Sequence, residues 1–208
     1  MKVIHLISGG DTGGAKTHIH YLLSGICRHI DATLVCFMRG EFSDEAEELG
    51  IPTVVMEGNI LSTINRLKKM ISEGKYDIIH SHGARGNFIA SLIKRSCGVP
   101  VVTTVHSDPK LDYLGRPAAA LVYGTLNSYA LHRADYLVGV SDSMKSLLIE
   151  RGFSPNKIFT IYNGVDFSVE PKNDDRISYL RGLGLDADET SVVVGIAARL
   201  EPVKDVAT

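Results

Sequence analysis

The sequence of 208 residues lacks several features that would assign it to a specialised class of protein. Its three cysteines, Cys27, Cys36 and Cys97, form no CxxC pair, and their odd number indicates reduced thiols in a cytosolic protein. The net charge of −2 gives no basic field for nucleic acid, and no RRM, KH or zinc-finger spacing is present. No apolar stretch is long enough to cross a bilayer or to form a signal peptide. We therefore expect a cytoplasmic globular protein that does not bind nucleic acid.

Short apolar runs rich in β-branched residues alternate with stretches of helical spacing. The runs are continuous, as in strands buried on both faces of a parallel sheet. They cover residues 3–7, 32–37, 53–56, 77–80, 101–105, 136–140, 158–162 and 191–198. This pattern predicts an α/β fold with a doubly wound parallel sheet. We expect an N-terminal domain over 1–168, and over 169–208 a junction, a helix and the first strand of a second, truncated domain.

The loop over residues 8–18 is the first candidate ligand site, because open parallel sheets bind ligands at the carboxyl ends of their strands. Its four glycines lead into a helix N-terminus, a combination that favours contact with a phosphate or another polar ligand. No dinucleotide-binding fingerprint can be aligned. The loop is a near miss for a P-loop, because Ala15 stands where a glycine should precede Lys16 and Thr17.

Histidines follow two of the later strands. His80 and His82 share one face of a strand end, but without a third ligand at a recognisable spacing they predict no metal site. One of the two is expected to be a hydrogen-bonded structural histidine. His106 ends the strand over 101–105. Four further histidines receive no functional interpretation: His5, His20, His29 and His132.

Six motifs follow one another along nearly the whole chain. They are Gly13-Gly-x-x-x-His18, Asp77-Ile-Ile-His-x-His82, Thr104-Val-His106, Ala134-Asp135-x-Leu-x-x-x-Ser141, Ile161-Tyr-Asn-Gly-Val-Asp166 and Gly195-x-x-Ala-Arg199-Leu-x-x-x-Lys204. Their order resembles that of glycosyltransferase family 4, whose members have the GT-B architecture of two facing Rossmann-like domains. The chain would be the Rossmann-like N-terminal half of such a fold, with only the start of the donor-nucleotide domain.

The resemblance implies a retaining enzyme of carbohydrate biosynthesis that uses a nucleotide-sugar donor and needs no metal or other cofactor. Gly13 and Gly14 would offer backbone N–H groups near the donor phosphates. Arg199 and Lys204 would neutralise the diphosphate leaving group, where negative charge develops. His106 would be the catalytic residue, through a hydrogen bond to the donor sugar rather than as a general base.

The other residue roles that the resemblance implies concern the acceptor, which is expected to be a sugar or a lipid-linked sugar. His18, His82 and Asn163 are placed on the acceptor side or behind the residues that touch the ligand. A weak peripheral contact with the inner face of a membrane is weighed against an ordinary solvated helix face. It would use Arg66, Lys68 and Lys69 on a helix, with Lys110 and Arg116 in the loop after His106. Self-association through an exposed strand over 191–198 is also expected.

Three other functions stay open from the sequence. They are a sugar-nucleotide 2-epimerase of the same architecture, a non-catalytic module that binds carbohydrate or a partner protein, and, more remotely, a P-loop NTPase. Because catalysis needs both walls of the cleft between two domains, we expect the 208-residue chain alone to be inactive.

Overall fold

The computed structural model describes residues 1–10, 14–108, 124–164 and 175–195. The chain divides into two compact units, Met1–Gly164 and Val165–Thr208. The domain boundary expected between residues 168 and 169 lies outside the described residues.

The first unit is built on a sheet of seven parallel strands in the order β3-β2-β1-β4-β5-β6-β7. Its strands are β1 Lys2–Ile7, β2 Asp31–Cys36, β3 Thr53–Val55, β4 Ile78–His82, β5 Val101–Val105, β6 Tyr136–Gly139 and β7 Ile158–Thr160. The described helices are α1 Gly14–Ile26, α2 Glu41–Glu48, α3 Ile60–Gly74, α4 Gly83–Cys97, α5 Thr125–Arg133 and α6 Asp142–Glu150, with α7 Arg176–Gly182 in the second unit. This architecture confirms the predicted doubly wound α/β fold.

The two faces of the sheet are covered by different helices. Ile19 of α1 and Phe42 of α2 pack with Ile7 and Leu34 on one face. Helices α3 to α6 pack on the other face, where the buried residues include Ile4, Leu6, Leu67, Ile89, Leu131 and Leu148. The strand order changes direction between β1 and β4, which is the switch point at which such sheets form a crevice for ligands.

Glycine allows α4 to pack closely against the centre of the sheet. A Cβ atom added to Gly86 would lie 2.5 Å from the backbone oxygen of Leu6, well inside van der Waals contact. Helix α4 also begins directly after β4 without a connecting loop, and Gly83 makes this turn with φ +66°. The carboxyl end of β4 is therefore held tightly in place.

The structure differs from the sequence-based prediction in three elements. Helices α2 and α5 were not predicted. The strand predicted over 191–198 is wrong for residues 191–195, which form no strand, and its remaining residues lie outside the described part of the chain. The helix predicted within residues 169–208 is confirmed as α7. Among the described helices, none has the length and apolarity needed to span a membrane.

Candidate functional site

The glycine-rich loop after β1 is shaped by close backbone contact. Gly9 has φ +92°, and a Cβ atom there would come within 2.5 Å of the carbonyl oxygen of Met38. Gly14 is the first residue of α1 and is exposed, and an added Cβ would meet nothing within 4 Å. The backbone at this helix start is thus open to approach by a ligand. Gly13 lies outside the described residues.

Lys16 does not resemble the lysine of a P-loop, which must be free to reach phosphates. Its Nζ atom donates to Glu41 Oε1 at 2.8 Å and to Glu45 Oε1 at 2.7 Å. Both carboxylates belong to α2, so the lysine ties α1 to α2. The structure therefore disfavours the P-loop interpretation of this loop.

Five histidines form one cluster on the face of the sheet that α1 covers, and we call them the histidine cluster: His5, His18, His80, His82 and His106. Register places three of them together, since His5 of β1 pairs with His80 of β4, and His82 lies two residues further along β4. Paired residues of parallel strands, and residues two apart on one strand, point to the same side. His18 comes from α1, and His106 follows β5.

The rings of the histidine cluster are in close contact. The centroids of His80 and His82 are 4.4 Å apart, and those of His18 and His106 are 4.9 Å apart in an edge-on arrangement. His5 Nδ1 lies 3.2 Å from His82 Nε2, and His82 Nδ1 lies 3.5 Å from His106 Nε2. The cluster therefore runs continuously from the central strand β1 to the residue after β5.

Burial keeps the histidine cluster uncharged. Loss of contact with water, with a smaller repulsion from His18, lowers the pKa of His5 and of His106 to about 4. The same loss of hydration lowers the pKa of His80 and of His82 well below its ordinary value. Burial also lowers the pKa of His18, against the opposing effect of a hydrogen bond with Asn163. Neutral imidazoles can each donate one hydrogen bond and accept one.

The structure thus brings together four residues that the sequence analysis nominated for the site: His18, His82, His106 and Asn163. His80 Nε2 forms a hydrogen bond with Thr104 Oγ1 at 2.8 Å, which fits the structural role expected of one member of the His80/His82 pair. Arg199 and Lys204 lie outside the described residues, so their placement stays a prediction.

His5 is the member of the site that sequence reasoning missed. It lies in the middle of an apolar strand and is only 1% exposed, which is typical of a core position. Its Nε2 atom is nevertheless buried and has no hydrogen-bond partner within the part of the chain that the structure describes. The available signal was positional, because strand β1 must neighbour β4 in a doubly wound sheet and this sets His5 beside His80.

Three members of the cluster have the composition of a metal site. His5, His80 and His82 each offer a nitrogen atom, and these atoms lie within 4.8 Å of one another. In the structure, His5 Nδ1 instead faces His82 Nε2 at 3.2 Å, and His80 Nε2 bonds to Thr104 Oγ1. The expectation that no metal is needed stays a prediction.

A pocket of about 620 Å³ lies at the edge of the sheet opposite to the histidine cluster and is not part of this site. It is lined by Lys94 and Arg95 at the end of α4 and by Arg133 at the end of α5. Cations at helix C-termini complement the helix dipole. Lys94 Nζ also donates to Asp135 Oδ1 at 2.6 Å, so this basic lining has a structural explanation.

Three of the basic residues considered for membrane contact lie on α3, whereas Lys110 and Arg116 lie outside the described residues. Lys69 is exposed and forms an ion pair with Glu73 at 3.8 Å. Arg66 donates to the backbone oxygen of Glu57 at 3.2 Å. These contacts are those of an ordinary solvated helix face, and membrane contact stays a prediction.

Comparison with known proteins assigns the family. Residues 12–169 match the model of Glycosyltransferase Family 4. The chain is 27% identical over 215 residues to the UDP-Gal:alpha-D-GlcNAc-diphosphoundecaprenol alpha-1,3-galactosyltransferase of Escherichia coli, covering 92% of this chain and 54% of that protein. It therefore spans about half of the length of this curated relative.

Solved structures show the same fold at lower identity. HepE of Anabaena in complex with UDP-glucose superposes with a TM-score of 0.72 at 20% identity, over 88% of this chain and 50% of that one. UDP-N-acetylglucosamine 2-epimerase of Rickettsia bellii gives a TM-score of 0.60 at 14% identity, over 78% and 45% of the two chains. These structures show the fold that the chain shares with them. The assignment to a family rests on the family model, which covers most of the described N-terminal unit. The chain belongs to glycosyltransferase family 4.

Proposed function

We propose that this chain forms the acceptor-side part of a retaining glycosyltransferase that takes a sugar from a nucleotide-sugar donor. The observation that carries the proposal is the meeting of His18, His82 and His106 at the carboxyl ends of β4 and β5. The sequence motifs nominated these residues independently, and the site lies on the edge where open α/β sheets bind ligands.

His106 is assigned a hydrogen bond to the donor sugar. Burial and contact with His82 hold the ring in one place, as the transition state of sugar transfer requires. A strong base is not needed there if the departing diphosphate accepts the proton of the acceptor hydroxyl. Gly14, an exposed residue at the start of α1, is assigned to the donor phosphates through its backbone N–H, with Gly13, Arg199 and Lys204 as the expected partners of the diphosphate.

The chemical class of the substrates is supported by the relatives. The Escherichia coli relative is named for a UDP-galactose donor and a diphosphoundecaprenol-linked acceptor, and HepE was solved with UDP-glucose. We accordingly propose a nucleotide-sugar donor, a sugar or lipid-linked acceptor, and chemistry without an essential metal. Since the chain spans about half of its curated relative, we further propose that the 208 residues alone do not turn over.

A sugar-nucleotide 2-epimerase is the second candidate, because the Rickettsia bellii epimerase has a similar fold. The two functions make different products from the same donor. Transfer releases a free nucleoside diphosphate and lengthens an acceptor, whereas epimerisation returns a nucleotide sugar of the same mass.

The test is product analysis with a form of the protein that extends through the second domain. A panel of nucleotide sugars is first screened for thermal stabilisation, since a ligand at 100 times its Kd adds about 2.7 kcal/mol to stability. The stabilising donor is then incubated with sugar and lipid-linked acceptors. The expected result is release of the nucleoside diphosphate together with formation of a longer acceptor. An isomeric nucleotide sugar would instead support the epimerase, and stabilisation without any product would support a binding module.

A further inference from the structure

Three histidines of the cluster form a linear series of nitrogen contacts. His5 Nδ1 faces His82 Nε2 at 3.2 Å, and His82 Nδ1 faces His106 Nε2 at 3.5 Å. Both nitrogens of His82 are therefore engaged. A neutral imidazole donates through one nitrogen and accepts through the other, so the direction of one contact fixes the direction of the next.

The three rings are neutral together. His5 and His82 are 1% and 0% exposed, and burial lowers the pKa of His5 and of His106 to about 4 and that of His82 well below its ordinary value. No carboxylate of the described residues contributes to these shifts. Only two arrangements of protons are then possible, one for each direction along the series.

The buried end of the series decides between the two directions. His5 Nε2 is buried and has no hydrogen-bond partner among the described residues. If the series ran from His106 towards His5, this atom would be a buried N–H without an acceptor. If the series runs from His5 towards His106, His5 Nε2 carries a lone pair that accepts no hydrogen bond. Buried donors without a partner are rarer in proteins than buried acceptors without one. The second direction is therefore favoured.

We propose that His82 is a positioning residue that holds His106 as the tautomer protonated on Nδ1. In this arrangement His5 Nδ1–H donates to His82 Nε2, and His82 Nδ1–H donates to His106 Nε2. The remaining ring nitrogen of His106 is then a hydrogen-bond donor, and its only lone pair is already occupied by His82.

This assignment deepens the proposed function, and its meaning for catalysis rests on that function. A donor N–H suits an oxygen acceptor, such as a hydroxyl or phosphate oxygen of a nucleotide sugar. It cannot remove a proton from an acceptor hydroxyl. The series of imidazoles thus gives a physical reason for a His106 that orients a ligand rather than acting as a base.

His80 supplies a matched control within the same cluster. It stacks on His82 with centroids 4.4 Å apart, but its Nε2 bonds to Thr104 and it takes no part in the series. Replacing His80 with phenylalanine keeps a buried ring and leaves the contacts between His5, His82 and His106 in place. Replacing His82 with phenylalanine also keeps a ring but removes both links.

The test is the tautomer of His106 in the 208-residue chain labelled with ¹⁵N-histidine, read from long-range ¹H–¹⁵N correlation spectra at pH 7.5 without any ligand. The expected result is a single Nδ1–H tautomer of His106 in the wild type and in His80→Phe. In His82→Phe, we expect the other tautomer to become populated in a mixture. In His5→Phe, we expect the Nδ1–H tautomer to persist, because His82 Nε2 then becomes the buried atom without a partner and remains a lone pair.

Two results would overturn the proposal: an Nε2–H tautomer of His106 in the wild type, or a His106 tautomer that stays unchanged in His82→Phe. If His82→Phe does not fold, the wild-type tautomer still decides the question. Because the measurement uses no substrate, it stands apart from the test of sugar transfer. A protein without transferase activity could still show the predicted tautomer, and an active one could lack it.

Discussion

Acidification is expected to destabilise the N-terminal unit, because the histidine cluster is buried in its neutral form. Burial, with a smaller effect of His18, lowers the pKa of His5 from 6.5 to about 4 in the folded chain. Unfolding returns the ring to water, where it binds a proton below about pH 6.5. Between pH 6.5 and pH 4 the unfolded state therefore binds more protons than the folded state. The contribution of His5 to the free energy of unfolding should fall as the pH falls through this range and level off below it.

The size of the effect is large compared with the stability of a typical domain. One pKa unit corresponds to about 1.4 kcal/mol, so the change from 6.5 to about 4 amounts to about 3 kcal/mol for His5 alone. Domains of this kind unfold at a cost of about 5–15 kcal/mol. His80 and His82 act in the same direction, since burial also lowers their pKa values.

The assay is urea unfolding of the wild type and of His5→Phe at several pH values between 4 and 7.5. The variant keeps a buried ring but cannot bind a proton, so its stability should decline less steeply, by up to about 3 kcal/mol over the range. His29→Gln changes an exposed histidine and should follow the wild type. Wild-type and His5→Phe curves that run parallel would refute the reasoning, whatever their vertical offset, because the slope alone reports the proton.

Two further predictions concern packing and capping. Gly86→Ala should destabilise the first unit by about 1–3 kcal/mol in urea unfolding, because its Cβ atom would press on the backbone of Leu6. Gly25→Ala, whose Cβ atom would meet nothing within 4 Å, should be neutral or slightly stabilising, and equal effects of the two substitutions would contradict the packing argument. Ser141→Ala should lower the free energy of unfolding by about 1 kcal/mol, because Ser141 Oγ caps α6 by accepting from the Met144 N–H at 3.1 Å. Ser141→Asp, which keeps a capping oxygen, should retain most of that stability. An equal loss in both variants would contradict the capping argument.

The sheet could be predicted from the sequence because its strands carry their own signal. A continuous β-branched run such as 101–105 is buried on both faces, and the structure reproduces its bounds. Helix α2 gave no such signal. Its eight residues include five acidic ones, and only Phe42, Ser43 and Ala46 are buried, so its stability depends on packing that the local sequence does not reveal.

The site was predicted in part for a similar reason. His82 and His106 could be nominated because they end strands, where ligands bind in α/β folds. His5 could not, because nothing in its own strand distinguishes it from a core residue. Its role follows from the order of the strands, which places it beside His80, and from the burial that keeps five imidazoles neutral together. Such long-range pairings are properties of the fold rather than of any short motif.

The rate of sugar transfer by His106→Ala, in a form of the protein that extends through the second domain, tests the central claim most directly. We predict that the wild type transfers sugar from a nucleotide-sugar donor with retention of the anomeric configuration. The substitution should lower kcat/KM by about 10²–10³, the cost of losing one transition-state hydrogen bond, while the urea midpoint at pH 7.5 changes little. Undiminished transfer by His106→Ala, or a substitution that mainly unfolds the N-terminal unit, would contradict the account.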